Sequence, residues 1–146
     1  MTISIGSDHG GFQLKEKLVD SLKEKGYEVI DRGCYNLESV DYPLYAKKVA
    51  RDLQSQTSER GILICTTGIG MSIMANKFRG IRAALISNED AAKLSRQHND
   101  SNIICLGAKY TSLEDALKFV LIFLEEEFLG DRHSRRVNMI NEVDER

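Results

Sequence analysis

An α/β fold, with a five-stranded parallel sheet flanked by helices, is what this sequence predicts. Three observations carry the prediction. Short runs of continuous apolar residues, GILIC at Gly61–Cys65 the clearest, are of the kind that lies buried inside a parallel sheet. Between them stand segments whose apolar residues recur at helical spacing among lysines and glutamates. The two patterns alternate along the chain with no internal repeat, low-complexity tract or linker. That alternation implies right-handed crossovers with helices on both faces of the sheet, a three-layer Rossmann-like arrangement.

Thr2–Gly6 reads as the first strand and ends at SDHGG. Phe12, Leu14, Leu18, Val19 and Leu22 approximate the stripe of a helix from Phe12 to Lys25, which Gly26 stops. Tyr27–Asp31 is the second strand. Pro43 suits the first turn of a helix, where its missing N–H costs nothing, and Tyr45, Ala46, Val49, Ala50 and Leu53 form that helix's stripe. Gly61–Cys65 is the third strand, and the loop TTGIG after it opens a helix through about Phe78. Ile81–Ser87 makes a fourth strand, and Asn88 caps a helix reaching Gln97. Asn102–Gly107 is the fifth strand. Ser112–Phe128 is a strongly periodic helix, in which Ser112 and Asp115 resemble a capping box with Asp in place of Glu. The segment 131–146 is mostly polar, with Val137, Met139, Ile140 and Val143 spaced for one face. It is expected to pack against another subunit.

Composition narrows the function. A chain of 146 residues suits a single domain, 1–146, since domains usually run ~100–200 residues. Twenty basic residues against twenty-two acidic ones give a net charge of -2, which argues against nucleic-acid or acidic-membrane binding. No apolar run reaches the ~18–20 residues that cross a bilayer, and no secretory signal is visible. The cysteines, Cys34, Cys65 and Cys105, are odd in number and lack CxxC spacing, so neither a disulfide scaffold nor a zinc ribbon is expected. A cytoplasmic protein is the simplest expectation.

In a doubly wound sheet, ligands sit beyond the carboxyl ends of the strands. Cys65 ends the third strand there. It reads either as a thiol activated at a helix N-terminus or as an inert buried cysteine. The loop Thr66–Gly70 reads either as an N–H cradle for an anion or as a tight turn whose glycines serve backbone angles alone. It fits neither nucleotide motif: Ile73 stands where GxGxxG needs its third glycine, and no Gly-Lys-Ser/Thr follows. Met71 stands where a cysteine phosphatase needs arginine. His9 and His98 are each either acid–base groups or structural histidines, and no histidine pair has metal-ligand spacing. Arg132 and Arg136, four apart, either form part of a solvated basic face or grip a phosphate together. Cys105 reads as core filler. A thiol, imidazoles, an N–H-rich loop and paired arginines suit proton transfer on a small phosphorylated metabolite.

SDHGGFQLK, DYP at Asp41–Pro43, GILICTTGIGMSIMANK at Gly61–Lys77, SRQHND at Ser95–Asp100 and GDRHSRRV at Gly130–Val137 together resemble the ribose-5-phosphate isomerase type B family. The family includes the galactose-6-phosphate isomerase subunits, and the resemblance covers nearly the whole chain. It implies an aldose–ketose isomerase that interconverts ribose 5-phosphate and ribulose 5-phosphate through an enediolate, without metal or cofactor. On that resemblance Cys65 is the general base, and His98 assists ring opening. Thr67 and the backbone of Thr66, Gly68, Ile69 and Gly70 form the anion hole. Asp8, His9, Tyr42 and Asn99 contact substrate, Asp41 supports the thiol, and Arg132 and Arg136 bind the phosphate. Lys109 stands where the family pattern leads one to expect a phosphate-contacting arginine, trading a bidentate fork for a point charge. Sites shared within a homodimer, or a dimer of dimers, are also implied. Isomerisation of a six-carbon sugar phosphate such as allose or galactose 6-phosphate, and a non-catalytic phosphosugar-binding module, are the alternatives.

Overall fold

The computed structural model describes residues 1–145. Five parallel strands, β1 (Thr2–Ser7), β2 (Glu28–Asp31), β3 (Arg60–Cys65), β4 (Ala83–Leu85) and β5 (Ile103–Gly107), form one sheet in the order β2-β1-β3-β5-β4. The helices are α1 (Phe12–Glu24), α2 (Tyr42–Gln54), α3 (Ile69–Ala75), α4 (Glu89–Asn99), α5 (Leu113–Glu125) and α6 (Arg132–Glu142). Strand order reverses direction between β1 and β3, which is where such a sheet opens a crevice at its carboxyl edge.

Alternation along each strand divides the core in two. Ile3, Ile5, Ile62, Ile64, Ile104 and Leu106 face one way, against Leu18 and Leu22 of α1, Ala92 of α4 and Phe119 and Phe123 of α5. Leu63, Cys65, Ile103 and Cys105 face the other way, against Ala46, Val49 and Ala50 of α2 and Met71 and Ala75 of α3. α2 meets the sheet through Ala46, Val49 and Ala50, and a Cβ at Gly61 would fall 2.7 Å from Val49, so α2 lies close on the sheet. Cys105 is wholly buried there, and burial drives its thiol far above the ordinary value, as expected of core filler.

Of the elements, α3, β4 and α5 fall furthest short of their sequence patterns. α3 stops at Ala75 rather than near Phe78, because the Asn76 side chain ends it. Its Nδ2 donates to the carbonyls of Ser72 (3.0 Å) and Ala83 (2.9 Å), and its Oδ1 accepts the Ala83 N–H (2.8 Å). That amide takes over the pairing along the outer edge of β4, which is only three residues long. α5 ends at Glu125 rather than Phe128. Arg96 Nε donates to the Glu126 carbonyl at 3.3 Å and the Leu129 N–H to the Gln97 carbonyl at 3.1 Å, drawing the chain toward α4. The segment after 131, whose apolar residues are spaced for one face, is helical: α6 with a short 3₁₀ turn behind it. Among the described residues no helix is long and apolar enough to cross a membrane.

One buried charge fastens an edge of the sheet. Lys15 of α1 is fully buried and donates to Asp31 and to Glu16, each at 2.7 Å. Asp31 in turn accepts the Gly33 N–H at 2.8 Å, so α1 sets the path of the chain leaving β2.

Candidate active site

At the carboxyl edge, β1 and β3 deliver their last residues side by side, with Ser7 in register with Ile64. Asp8 follows Ser7 and is buried; its Oδ1 accepts the N–H groups of Gly10 (2.9 Å) and Gly11 (3.2 Å), forming the 3₁₀ turn His9–Gly11. His9 Nδ1 accepts the Val40 N–H at 3.1 Å. A backbone N–H can only donate, so Nδ1 holds the lone pair and Nε2 carries the proton of the neutral ring.

Cys65 is 5% exposed, and its Sγ accepts the Gly68 N–H at 3.1 Å. The loop behind it is held in place from β5. The Ala108 N–H donates to the Cys65 carbonyl and the Lys109 N–H to the Thr66 carbonyl, both at 2.9 Å. Thr67 Oγ1 accepts the Ile69 N–H at 3.3 Å. Gly68 takes a left-handed φ of 78°, and a Cβ there would fall 2.7 Å from Leu85 Cδ1. These angles let the Gly68 N–H turn back to the sulfur while the chain enters α3. The N–H groups of the first turn of a helix have no carbonyl a turn behind them; Thr67 Oγ1 takes that of Ile69, and the turn presents the Gly70 N–H at this edge.

Asp41 occupies the N-cap position of α2 with its carboxylate exposed and no side-chain bond to the helix. Tyr42, the next residue, lays its ring against Gly70, where an added Cβ would meet a ring carbon at 2.5 Å. Thr66 faces Gly10 and, with Lys109, Gln13 and Lys17, lines a cleft of about 350 Å³. Asp8, His9, Asp41, Tyr42, Cys65–Gly70 and Lys109 thus come together at one edge.

The remaining predicted residues do not join them. His98 and Asn99 end α4, which leads into the amino end of β5, and Ile103 there pairs with Gly61 while Cys65 pairs with Gly107. Four strand steps, roughly 13 Å, separate the two edges. Arg132 and Arg136 lie exposed on α6 beside His98. The ring of His133 stacks on His98 with centroids 4.3 Å apart and planes 12° from parallel. Burial, then the charges of His98, Arg132 and Arg136, hold the His133 pKa below its ordinary value. His133 is the neighbour of His98 that sequence reasoning did not single out. It sits inside the RHSRR run, where only the arginines carried a signal.

The sequence model of the family Ribose/Galactose Isomerase matches residues 3–140. The chain is a member of this isomerase family. Ribose-5-phosphate isomerase B of Escherichia coli is 46% identical over 99% of this chain and 97% of its own length. The structure of the Clostridium thermocellum ribose-5-phosphate isomerase B superposes with a TM-score of 0.98 at 51% identity, covering 99% of this chain and 98% of that one. The Mycoplasma genitalium ribose-5-phosphate isomerase B, solved with bound ribulose-5-phosphate, has a TM-score of 0.95 at 38% identity, over 99% of this chain and 96% of that one. Within the ribose/galactose isomerase family, then, this chain shares the whole fold and nearly the whole length of its relatives.

Proposed function

We propose that this chain interconverts ribose 5-phosphate and ribulose 5-phosphate, in a site that two copies of the chain complete together. The observation that carries the reading is the arrangement around Cys65: a buried thiol held by the Gly68 N–H, beside the first turn of α3. The ligand named for the Mycoplasma relative is the ketose of this reaction.

The chemistry assigns each edge a part. His98 moves the proton that opens the sugar ring. The Cys65 sulfur takes the proton from C2, the electron pair enters the C1–C2 bond, and the carbonyl oxygen becomes an enediolate oxygen. Backbone N–H groups at Gly68–Gly70 and the Thr67 side chain surround that charge; a preorganised donor of this kind is worth about 3–4 kcal/mol. Cys65 returns the proton to C1, and a hydroxyl proton moves between the two oxygens. Asp8, His9, Tyr42 and Asn99 hold the sugar, and Asp41 orients the thiol. Arg132 and Arg136, four apart on α6, grip the phosphate and fix the reacting carbons, with Lys109 as a further cation.

His98, Asn99, Arg132 and Arg136 lie at the opposite edge from Cys65, so one chain cannot enclose the substrate. A second copy, docked with its α4–α6 end over the first chain's Cys65, supplies them. α6 and the turn behind it then belong to the subunit interface of a homodimer or a dimer of dimers; of the segment 131–146, position 146 lies outside the described residues.

Turnover of ribose 5-phosphate by Cys65→Ala protein, in excess EDTA, tests the assignment. We expect a loss of about 10²–10⁴-fold, the usual contribution of a positioned acid–base group, with sugar-phosphate binding retained. Wild-type turnover in the variant overturns Cys65 as base. Turnover of a six-carbon sugar phosphate in place of ribose 5-phosphate, by unmodified protein, overturns the substrate.

A further inference from the structure

His133 of α6 is a buried titratable side chain to which the isomerase reading gives no part. Its ring is 8% exposed and lies nearly flat on that of His98, at the 4.3 Å separation of a close stack.

The surrounding chain builds this contact. The Leu129 N–H donates to the Gln97 carbonyl at 3.1 Å, one residue before His98, and so ties the segment entering α6 to the last turn of α4. The His133 N–H donates to the carbonyl of Gly130 at 3.0 Å, where the chain turns through a left-handed φ of 70°. Near the other end of α6, Asn141 Oδ1 accepts from Arg82 Nη1 at 3.1 Å. With both ends of α6 fastened, His133 is carried against α4.

His98 depends on the stack. A histidine that transfers a proton is commonly oriented by a hydrogen bond on its second ring nitrogen. Among the described residues no hydrogen bond reaches either ring nitrogen of His98, and the stack is the contact its ring makes. The face of the ring is therefore held while both nitrogens stay open to a substrate. Charge suits the arrangement. Burial, then the charges of His98, Arg132 and Arg136, oppose a proton on His133, and Asp131 is the acid that works the other way. A neutral ring can lie against His98 in either of that group's charge states, whereas two imidazolium rings this close would repel.

We infer that His133 is a positioning residue for the isomerisation: its ring fixes the plane of His98, so that a nitrogen of His98 meets the ring oxygen of the sugar. The inference rests on the reading of His98 as the group that opens the ring. In it, His133 touches no reacting atom.

Turnover of ribose 5-phosphate by full-length His133→Ala, His133→Phe and His98→Ala proteins tests this. His133→Ala is expected to lower kcat by about ten- to hundredfold and to leave KM within about threefold, because the binding groups remain and only orientation is lost. His133→Phe keeps a flat ring and has no nitrogen to titrate. It is expected to return kcat to within about threefold of wild type, a rescue that a role in proton transfer would not allow. His133→Leu fills the space without a flat ring; it replaces the alanine variant if that does not fold, and its kcat is expected to stay low. Wild-type kcat in the alanine or leucine variant overturns the inference, and so does an equal loss in the phenylalanine variant. A rise in KM at unchanged kcat overturns it too, and makes His133 a direct ligand of the substrate. Wild-type turnover in His98→Ala is a separate failure, which removes the role of His98 and the inference with it.

Discussion

Cys65 ends a strand whose residues 61–64 are sealed in the core, and at the edge its sulfur accepts the Gly68 N–H. The glycine is what makes that bond possible. An alanine at 68 keeps a positive φ that L residues rarely adopt, and its Cβ would press on Leu85 Cδ1 at 2.7 Å and the Leu106 carbonyl carbon at 2.8 Å. Gly68→Ala is therefore expected to cost about 1–3 kcal/mol in a urea titration. Turnover of the folded fraction is expected to fall as well, because relief of either clash moves the N–H off the sulfur. Wild-type stability would show that the loop yields easily. A second residue-scale expectation concerns His133. Its pKa is lowered in the fold, so below the ordinary value of 6.5 the unfolded chain binds a proton that the native state resists. Stability contributed by the neutral ring is present above 6.5 and is lost as pH falls from there toward the lower folded value. Melting temperatures followed from neutral to mildly acidic pH are expected to fall more steeply for wild-type protein than for His133→Gln. Identical slopes would mean that the stack with His98 does not hold His133 neutral.

Among the elements, α1 shows how a single polar residue can set a neighbour's path. Lys15 lies within the α1 sequence but is wholly buried, so it does not belong to that helix's solvated face. Burial alone would lower its pKa, yet the hydrogen bonds it donates to Asp31 and Glu16, with their charges, outweigh that and hold it above the usual lysine value. Lys15→Met leaves Asp31 short of its main partner. Because Asp31 is 26% and Glu16 50% exposed, water recovers part of the loss, and we expect about 1–3 kcal/mol rather than the full cost of a buried pair. A double-mutant cycle with Asp31→Asn in urea checks it; additive effects would place the cost in packing alone. The helices and strands themselves were legible because their apolar residues follow the periods of the two structures, and the caps at Asn88 and Ser112 bond as their side chains imply. Their ends were less legible. α3 stops at an asparagine that pairs with β4, and α5 stops where Arg96 and Gln97 draw the chain away. Those are contacts between distant residues, which no local pattern encodes. Lys15 was hidden for the same reason, since only the position of Asp31 explains a buried lysine.

For the molecule as a whole, the sequence places Cys65 at the carboxyl end of the third strand and His98 shortly before the fifth, which in a parallel sheet are opposite edges. The parallel pairing of β3 with β5 sets this, because α4 runs down to the amino end of β5 while β3 runs up to Cys65. If a second copy supplies His98, then two inactive chains can repair each other. Take Cys65→Ala chains and His98→Ala chains, each purified and each without turnover. In a mixed dimer, one site combines both defects, and the other takes its cysteine from the His98→Ala chain and its histidine from the Cys65→Ala chain. Random exchange at equal concentrations makes half the dimers mixed, so about a quarter of all sites are intact, given the two-fold symmetry of a homodimer. Turnover should climb from background toward about one quarter of wild type as subunits exchange. It should rise no further with time. A site built within one chain predicts no recovery at any mixing ratio, because every chain then keeps its own defect. The same experiment with Arg132→Ala in place of His98→Ala asks whether α6 crosses with the imidazole. Recovery with the histidine variant but not the arginine one would place α6 over its own chain's cysteine and contradict the docking proposed here.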